Sequence, residues 1–399
     1  MTALDLNQLA SCYRDTLLDD VVPFWLRHGP DREHGGLFTC LDRDGTVIDT
    51  DKSIWFQGRA GWLFATLYNT VEPRPEWLDL AQSCVGFLRL HGAAPDGKLY
   101  FTVTREGRPL RNRRYVFSES FAAIACAALV RATGNDETAA EAVRLFDRFL
   151  HASFTPGALP AKQEVTRPMQ AIGPCLIGIG TAQELRTNLG DIIVGGRSCT
   201  AWIDELVARI RRDFLKPEEQ ALMEVVGADG SIVDHFDGRT LNPGHALEAA
   251  WFILHEARLR EDAGLVRLGT TILDWMWVRG WDEEHGGLFY FRDLRGLPVQ
   301  EYWHDMKFWW PHCEAIIATL LAWRLTGEAR YAEWHRRVHD WAFSHFPDPG
   351  FGEWYGYLHR DGRISVPLKG NLWKGPFHLP RMLRYCWQLA CETAQPLIR

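Results

Sequence analysis

Runs of apolar residues at three- and four-residue spacing recur along this 399-residue chain from end to end, and no other feature restricts its fold so tightly. The spacing predicts helices near residues 4–27, 55–71, 75–92, 117–133, 137–153, 168–187, 197–214, 244–261, 263–279, 307–326, 329–345 and 374–393. One of them, GHALEAAWFILHEARLRE at 244–261, is apolar on nearly every side in its first half. That suits a helix packed inside a second ring of helices. No Pro/Ser-rich linker divides the chain, so residues 1–399 read as a single domain.

A shorter motif recurs between the helices. His34-Gly35-Gly36-Leu37-Phe38 leads to Asp42-Arg43-Asp44-Gly45, and His285-Gly286-Gly287-Leu288-Phe289 leads to Arg292-Asp293. Asp96-Gly97-Lys98-Leu99-Tyr100 precedes Arg105-Glu106-Gly107, and Gly352-Glu353-Trp354 precedes Arg360-Asp361-Gly362. Each reads as a short strand, a turn and a return strand. Helices in antiparallel pairs joined by small hairpins, repeating at uneven intervals, imply an all-α (α/α)6 barrel rather than a strict solenoid. The helix starts and hairpins would line one end of it.

Composition excludes several classes. The net charge is −7 and no basic run is dense enough to follow a phosphate backbone, which argues against nucleic acid. No uninterrupted apolar stretch is long enough for a membrane span, and residues 1–20 lack the order of a signal peptide. Nine scattered cysteines, none in a C-x-x-C pair, read as reduced thiols of a cytoplasmic protein. Tryptophan occurs 18 times, more often than tyrosine. Such rings fill wide barrels, and they also stack on the C–H faces of sugars.

Four segments gather reactive and aromatic side chains. Trp55-Phe56-Gln57-Gly58-Arg59-Ala60-Gly61-Trp62 places Arg59 in a mostly apolar helix, where it needs a carboxylate or a polar cavity. Asn242-Pro243-Gly244-His245-Ala246-Leu247-Glu248 opens a helix with His245 and Glu248 on one face. A histidine there is expected to stay neutral, because the helix dipole disfavours added positive charge. Lys307-Phe308-Trp309-Trp310-Pro311-His312-Cys313-Glu314 leads Glu314 into an apolar helix, with Arg59 or a histidine as its expected partner. Lys374-Gly375-Pro376-Phe377-His378-Leu379-Pro380-Arg381 starts the last helix with His378. No H-E-x-x-H or other standard zinc spacing occurs, so no metal site is expected. The glycines of Val194-Gly195-Gly196-Arg197 do not form a P-loop and read as a surface turn.

Together these segments resemble the N-acylglucosamine 2-epimerase family, whose members are also described as renin-binding proteins. W-x-x-G-R-x-x-W, N-P-G-H-x-L-E, K-x-W-W-P-H-x-E-A and K-G-P-F-H-x-P-R follow in family order, with G-E-W-[FY]-G-Y at residues 352–357. The resemblance implies an (α/α)6 barrel, a homodimer, and interconversion of N-acetyl-D-glucosamine and N-acetyl-D-mannosamine. It places Arg59, His245, Glu314 and His378 at catalytic positions, and Glu248 and Trp373 at sugar contacts. Trp55, Trp310 and Lys307, from the same segments, join them as candidate substrate contacts. No cofactor is implied for the chemistry, although ATP activates some members allosterically. Cellobiose 2-epimerases, mannose epimerases and aldose–ketose isomerases of the wider superfamily share a further histidine. The corresponding stretch here, Thr166-Arg167-Pro168-Met169-Gln170-Ala171, has none, which points to the N-acyl branch. Gln57 and Ala60 vary from the first motif and leave the sugar open.

The chemistry so implied removes a weakly acidic C2 proton from an open-chain sugar through an enediolate. One histidine on each face, His245 and His378, would exchange the proton. Arg59 would stabilise the carbonyl oxygen, and Glu248 and Glu314 would orient the histidines or hydroxyls. A glycosidase of the same barrel is the rival enzyme class; it needs two carboxylates, for which Glu314 with Glu353 or Asp234 are the nominees. A protein-binding role without catalysis is the third reading.

Overall fold

In the computed structural model, which describes residues 4–112, 116–160, 164–393 and 397, the helices pair off in chain order. α1 (Leu6–Asp15) runs through a π-helical stretch, Thr16–Val21, into α2 (Val22–His28). α3 (Ile54–Thr70) pairs with α4 (Pro75–His91), α5 (Phe117–Thr133) with α6 (Asp136–Phe154), and α7 (Gly173–Leu189) with α8 (Cys199–Arg209). After a single turn, α9 (Phe236–Arg239), α10 (Pro243–Arg260) pairs with α11 (Ala263–Gly280), and α12 (Trp309–Thr326) with α13 (Ala329–His345). α14 (His378–Cys391) packs back on α1 and so completes the sixth pair. From α3 to α5, α7, α10, α12 and α14, each helix touches the next, forming the inner ring of an (α/α)6 barrel. None of the described helices is long and apolar enough to cross a membrane.

Patterning explains which helix goes where. α12 is buried along nearly its whole length, from Trp309 to Thr326, because it is apolar on every side. α6 buries only the stripe Thr138, Ala142, Phe146, Phe149 and Leu150, so its other face meets water. Inner helices approach closely where a side chain is missing. A Cβ on Gly58 of α3 would lie 2.6 Å from the Phe121 carbonyl carbon of α5. Three inner helices start later than their periodicity suggests. Met169–Ala171 forms a strand with Val225–Gly227, and α7 begins beyond it with Pro174 in its first turn. Lys307–Phe308 pairs with Tyr357–Leu358 ahead of α12. Gly375 and Pro376 hold the chain out of helix until His378. Ile193–Val194 and Arg197–Ser198 pair across the Gly195–Gly196 turn, as the sequence suggests.

The hairpins are fastened to the starts of the inner helices by one recurring device. Gln57 of α3 accepts from the Leu37 N–H and donates to its carbonyl, both at 2.8 Å. Glu119 of α5 accepts from the Leu99 N–H at 2.9 Å, and His312 of α12 from the Leu288 N–H at 2.9 Å. Gln57 and His312, which stand inside two of the four reactive segments, are therefore hairpin clamps.

A second device ties neighbouring repeats. Asp31 binds Lys52 at 2.8 Å and Arg105 at 2.9 Å; Asp282 binds Lys307 at 2.9 Å and Arg360 at 2.8 Å; Asp348 binds Lys369 at 3.0 Å and Arg43 at 2.8 Å. In each, the lysine lies over an aromatic ring: Phe38, Phe289 and Tyr355 respectively. The third set joins Arg43 of the first hairpin to Asp348 of the last and thereby closes the ring. Burial opposes ionisation of these aspartates, but their paired cations hold all three well below the usual carboxylate range.

Candidate active site

The side chains singled out in the four segments come together at one end of the barrel because they sit on the first two turns of inner helices. Trp55 and Arg59 belong to α3, His245 and Glu248 to α10, Trp310 and Glu314 to α12, and His378 to α14. Asn242 caps α10, its side chain accepting from the His245 N–H at 3.2 Å, and Pro243 takes the first turn. Gly244 is required there: a Cβ would lie 2.6 Å from the Trp310 indole.

At the centre is one guanidinium between two carboxylates. Arg381 Nη2, one turn after His378, donates to Glu248 Oε1 at 2.8 Å and to Glu314 Oε1 at 2.7 Å. The other oxygen of Glu314 accepts from Trp251 Nε1 at 2.6 Å. Glu248, Glu314 and His378 bring donor atoms within 4.8 Å of one another, a grouping that suits a cation. Arg381 supplies that positive charge. The partner expected for Glu314 is thus a histidine and Arg381, not Arg59.

His378 and His245 both lie against Trp310, with ring centroids 5.6 and 5.0 Å from it. Each commits Nδ1 to a carboxylate: His378 to Glu314 at 2.7 Å, His245 to Glu224 at 2.9 and 3.0 Å. A carboxylate accepts from Nδ1–H, so Nε2 is the nitrogen left for a ligand in both rings. Their charges differ. Burial, then Arg381 and Arg59, push His378 well below the ordinary imidazole value. Glu314 does not reverse this, because the same oxygen already serves Arg381. Burial also disfavours the His245 cation, but the Glu224 charge and hydrogen bond outweigh it and raise the group to about 9. The expectation that His245 stays neutral at its helix start is therefore wrong: a carboxylate in contact outweighs the helix dipole.

Arg59 is enclosed by rings, its guanidinium carbon 4.1 Å from the Phe121 centroid, 4.3 Å from Phe377 and 4.5 Å from Trp55. Its Nε is buried without a hydrogen-bond partner among the described residues. Glu248 and Glu314 lie near enough to favour its charge, yet both bond Arg381. Burial and the Arg381 charge work against the Arg59 cation. A guanidinium keeps its proton in proteins, so Arg59 carries an under-compensated positive charge. Trp55 stacks on Phe121 at 5.2 Å and meets Trp373 edge-on at 6.5 Å, while Trp373 stands 40 % exposed at the mouth.

Lys307 does not belong to this group. Its side chain is fully buried with Asp282 and the Phe289 ring, where burial outweighs the ion pair and lowers it to about 8. It stands in the reactive segment because the repeat device places a lysine just ahead of an inner helix. The carboxylates nominated for a glycosidase are also engaged elsewhere: Glu353 by Lys374 and Trp25, Asp234 by Arg239 and Arg295.

Three members of the site escaped sequence reasoning. Arg381 had a signal, since it follows His378 by three residues and so shares its face. Trp251 has the same relation to Glu248. Glu224 lies in no motif and reaches His245 only through the fold.

Comparison with known proteins identifies the chain's relatives. The sequence profile of N-acylglucosamine 2-epimerase (GlcNAc 2-epimerase) matches residues 36–378. The N-acylglucosamine 2-epimerase of Bos taurus is 39 % identical over 395 residues, covering 93 % of this chain and 89 % of the relative. Cellobiose 2-epimerase of Bacteroides fragilis is 24 % identical over 379 residues, covering 91 % and 94 %. The structure of cellobiose 2-epimerase from Bacillus thermoamylovorans B4167 superposes with a TM-score of 0.83 at 19 % identity, covering 96 % of this chain and 99 % of that one, and shares the fold. With the profile running through the first three reactive segments to His378 of the fourth, and the bovine relative spanning nearly the whole barrel, the chain belongs to the N-acylglucosamine 2-epimerase family of carbohydrate isomerases.

Proposed function

We propose that this chain interconverts N-acetyl-D-glucosamine and N-acetyl-D-mannosamine by moving a proton between His378 and His245. The reading rests on two imidazoles that flank one indole, offer Nε2 on both sides, and hold opposite proton occupancy. Two titratable groups whose surroundings drive them apart are a natural base and acid. In the open-chain sugar, neutral His378 takes the C2 proton on Nε2. The C–H electron pair forms a C1–C2 double bond, and the C1 carbonyl oxygen becomes negative. Because C2 carries nitrogen in these sugars, this intermediate is an enolate, the counterpart of a free sugar's enediolate. His245 then returns a proton from Nε2 to the opposite face of C2, and the carbonyl re-forms. The under-compensated charge of Arg59 stabilises the oxygen while it is negative. Trp310 supplies the flat surface between the two histidines, with Trp55 and Trp373 toward the mouth. Side chains carry every proton and charge in these steps, so the reading requires no cofactor.

Proton NMR in D2O tests it. Either N-acetylhexosamine, incubated with the protein, should acquire deuterium at C2 while its epimer accumulates. Free mannose, glucose and cellobiose, tested alongside, rank the acyl requirement. Absence of label at C2 from both N-acetyl sugars would remove the reading.

A further inference from the structure

Glu224 stands outside every reactive segment, yet its carboxylate is bound to the site. It sits between the strands Ala221–Leu222 and Val225–Gly227, and its carbonyl accepts the Ile172 N–H at 3.0 Å, just ahead of α7. From that anchor both carboxylate oxygens come within 3.0 Å of His245 Nδ1 on α10. Asn242 Nδ2 is also near Nδ1, at 3.1 Å, but it is itself a donor, so the ring's N–H goes to the carboxylate. The other titratable groups that act on His245 are Glu248 on its own helix, Glu314 on α12 and the neutral His378 on α14, and Arg381 of α14 is bonded to both glutamates. Both of those glutamates are bound to Arg381, whereas the ion pair of Glu224 among the described residues is with His245 alone.

We propose that Glu224 is the positioning residue that makes His245 the proton donor of the pair. This rests on the two-histidine reading above. Glu224 touches neither sugar nor transferred proton. It fixes the tautomer that turns Nε2 toward the substrate, and it keeps a proton on that nitrogen when the reaction begins. Its attachment at the start of α7 means that the strand Met169–Ala171 and its partner Val225–Gly227 set the donor wall from outside the inner ring.

The experiment compares wild type, Glu224→Gln, Glu224→Asp and His245→Asn. For each, epimerisation across pH and deuterium wash-in at C2 are followed with both N-acetylhexosamines. Glutamine keeps the shape and removes the charge. The alkaline limb of kcat/KM should then fall from near pH 9 by about two pH units, toward the ordinary imidazole range. Epimerisation at pH 8 should drop by roughly 10- to 100-fold. Wash-in from the epimer whose C2 hydrogen faces His378 should remain within about threefold of wild type, because that base is intact. Glu224→Asp should restore part of the alkaline limb. A Glu224→Gln enzyme with the wild-type pH profile and wild-type ratio of wash-in to epimerisation would overturn the assignment. If wild type shows no C2 chemistry, or His245→Asn is fully active, the underlying reading fails instead. Should the glutamine variant not fold, ¹⁵N-histidine NMR of wild type decides: the resonance lost in His245→Asn should remain imidazolium up to about pH 9. An ordinary titration near neutrality would overturn the proposal.

Discussion

The two walls of the site are built alike and behave differently. His245 and His378 each stand at the start of an inner helix, each give Nδ1 to a glutamate, and each lie against Trp310. Yet one is held protonated and the other neutral. The difference lies in what else the glutamate serves. Glu224 has His245 as its ion-pair partner, whereas Glu314 is shared among His378, Arg381 and Trp251, with Arg59 close by. A hydrogen bond to a carboxylate sets which ring nitrogen carries a proton. The balance of surrounding charge sets whether the second nitrogen carries one as well.

Removing either imidazole is the harshest test of this asymmetry and has the largest expected effect. His378→Asn should lower epimerisation by at least about 10³-fold and abolish wash-in from the epimer whose C2 hydrogen it faces. His245→Asn should lower epimerisation by a similar factor but preserve that wash-in, since the neutral base remains. NMR in D2O reads both quantities in one sample. Equal loss of wash-in with both epimers in both variants would show that the walls are not specialised.

Arg381→Gln should weaken the difference from the other side. With the guanidinium gone, Glu314 Oε1 is left to His378 while Trp251 keeps the other oxygen, and the imidazole should rise toward the ordinary range. In wild type kcat/KM should be flat through neutral pH and fall above about 9, where His245 loses its proton. The overall equilibrium contains no proton, so both directions of the reaction should show the same limbs. In the variant an acid limb should emerge near neutrality, because a base whose value rises is protonated, and silenced, as pH falls through it. Activity at pH 6 should drop about tenfold more than at pH 8. A pH-independent loss would mean that Arg381 only holds the site together.

How much of this could be read from the sequence depended on whether a property was local. Helix existence followed from apolar spacing, and the barrel from pairing, because both are repeated many times over. The starts of α7, α12 and α14 were obscured where a strand or Pro376 interrupts an apolar run, since periodicity carries no record of strand partners. Arg59, His245, Glu314 and His378 were findable as reactive groups in apolar surroundings. Lys307 carried the same signal and misled, because a lysine buried with an aspartate looks like a lysine awaiting a ligand until Asp282 is located. The protonation state of His245 was not legible, because Glu224 stands 21 residues away, in no motif, and only the turn beside α7 brings it into contact.

A milder change should act on both walls together. Gly244→Ala places a methyl group 2.6 Å from the Trp310 ring, and that ring must shift. Both histidines rest on it, so both lose their spacing to the sugar. The expected result is roughly a tenfold loss in kcat/KM, without movement of either limb of the pH profile, because no charge has changed. A shifted limb would show that Trp310 contributes to the proton asymmetry and does more than separate the rings.

The smallest effect on chemistry should come from Lys307→Met, which leaves both walls untouched and therefore serves as their control. The ammonium is fully buried against Asp282, so its removal leaves a buried carboxylate short of a cation. Breaking such a pair costs about 3–5 kcal/mol when nothing else compensates. Here Arg360 still grips both oxygens of Asp282, at 2.8 and 3.1 Å, and the methionine fills most of the space over Phe289. The loss should accordingly be smaller, about 1–3 kcal/mol, visible as a lower Tm. KM for either N-acetylhexosamine should stay within about twofold, since uniform binding is untouched. A large rise in KM at unchanged Tm would return Lys307 to the sugar and would mean that the Asp282 pair opens when substrate binds. Equivalent changes at Lys52 and Lys369 sharpen the point: if the three sets are one repeated fastening, replacing any of the three lysines should lower Tm and spare KM.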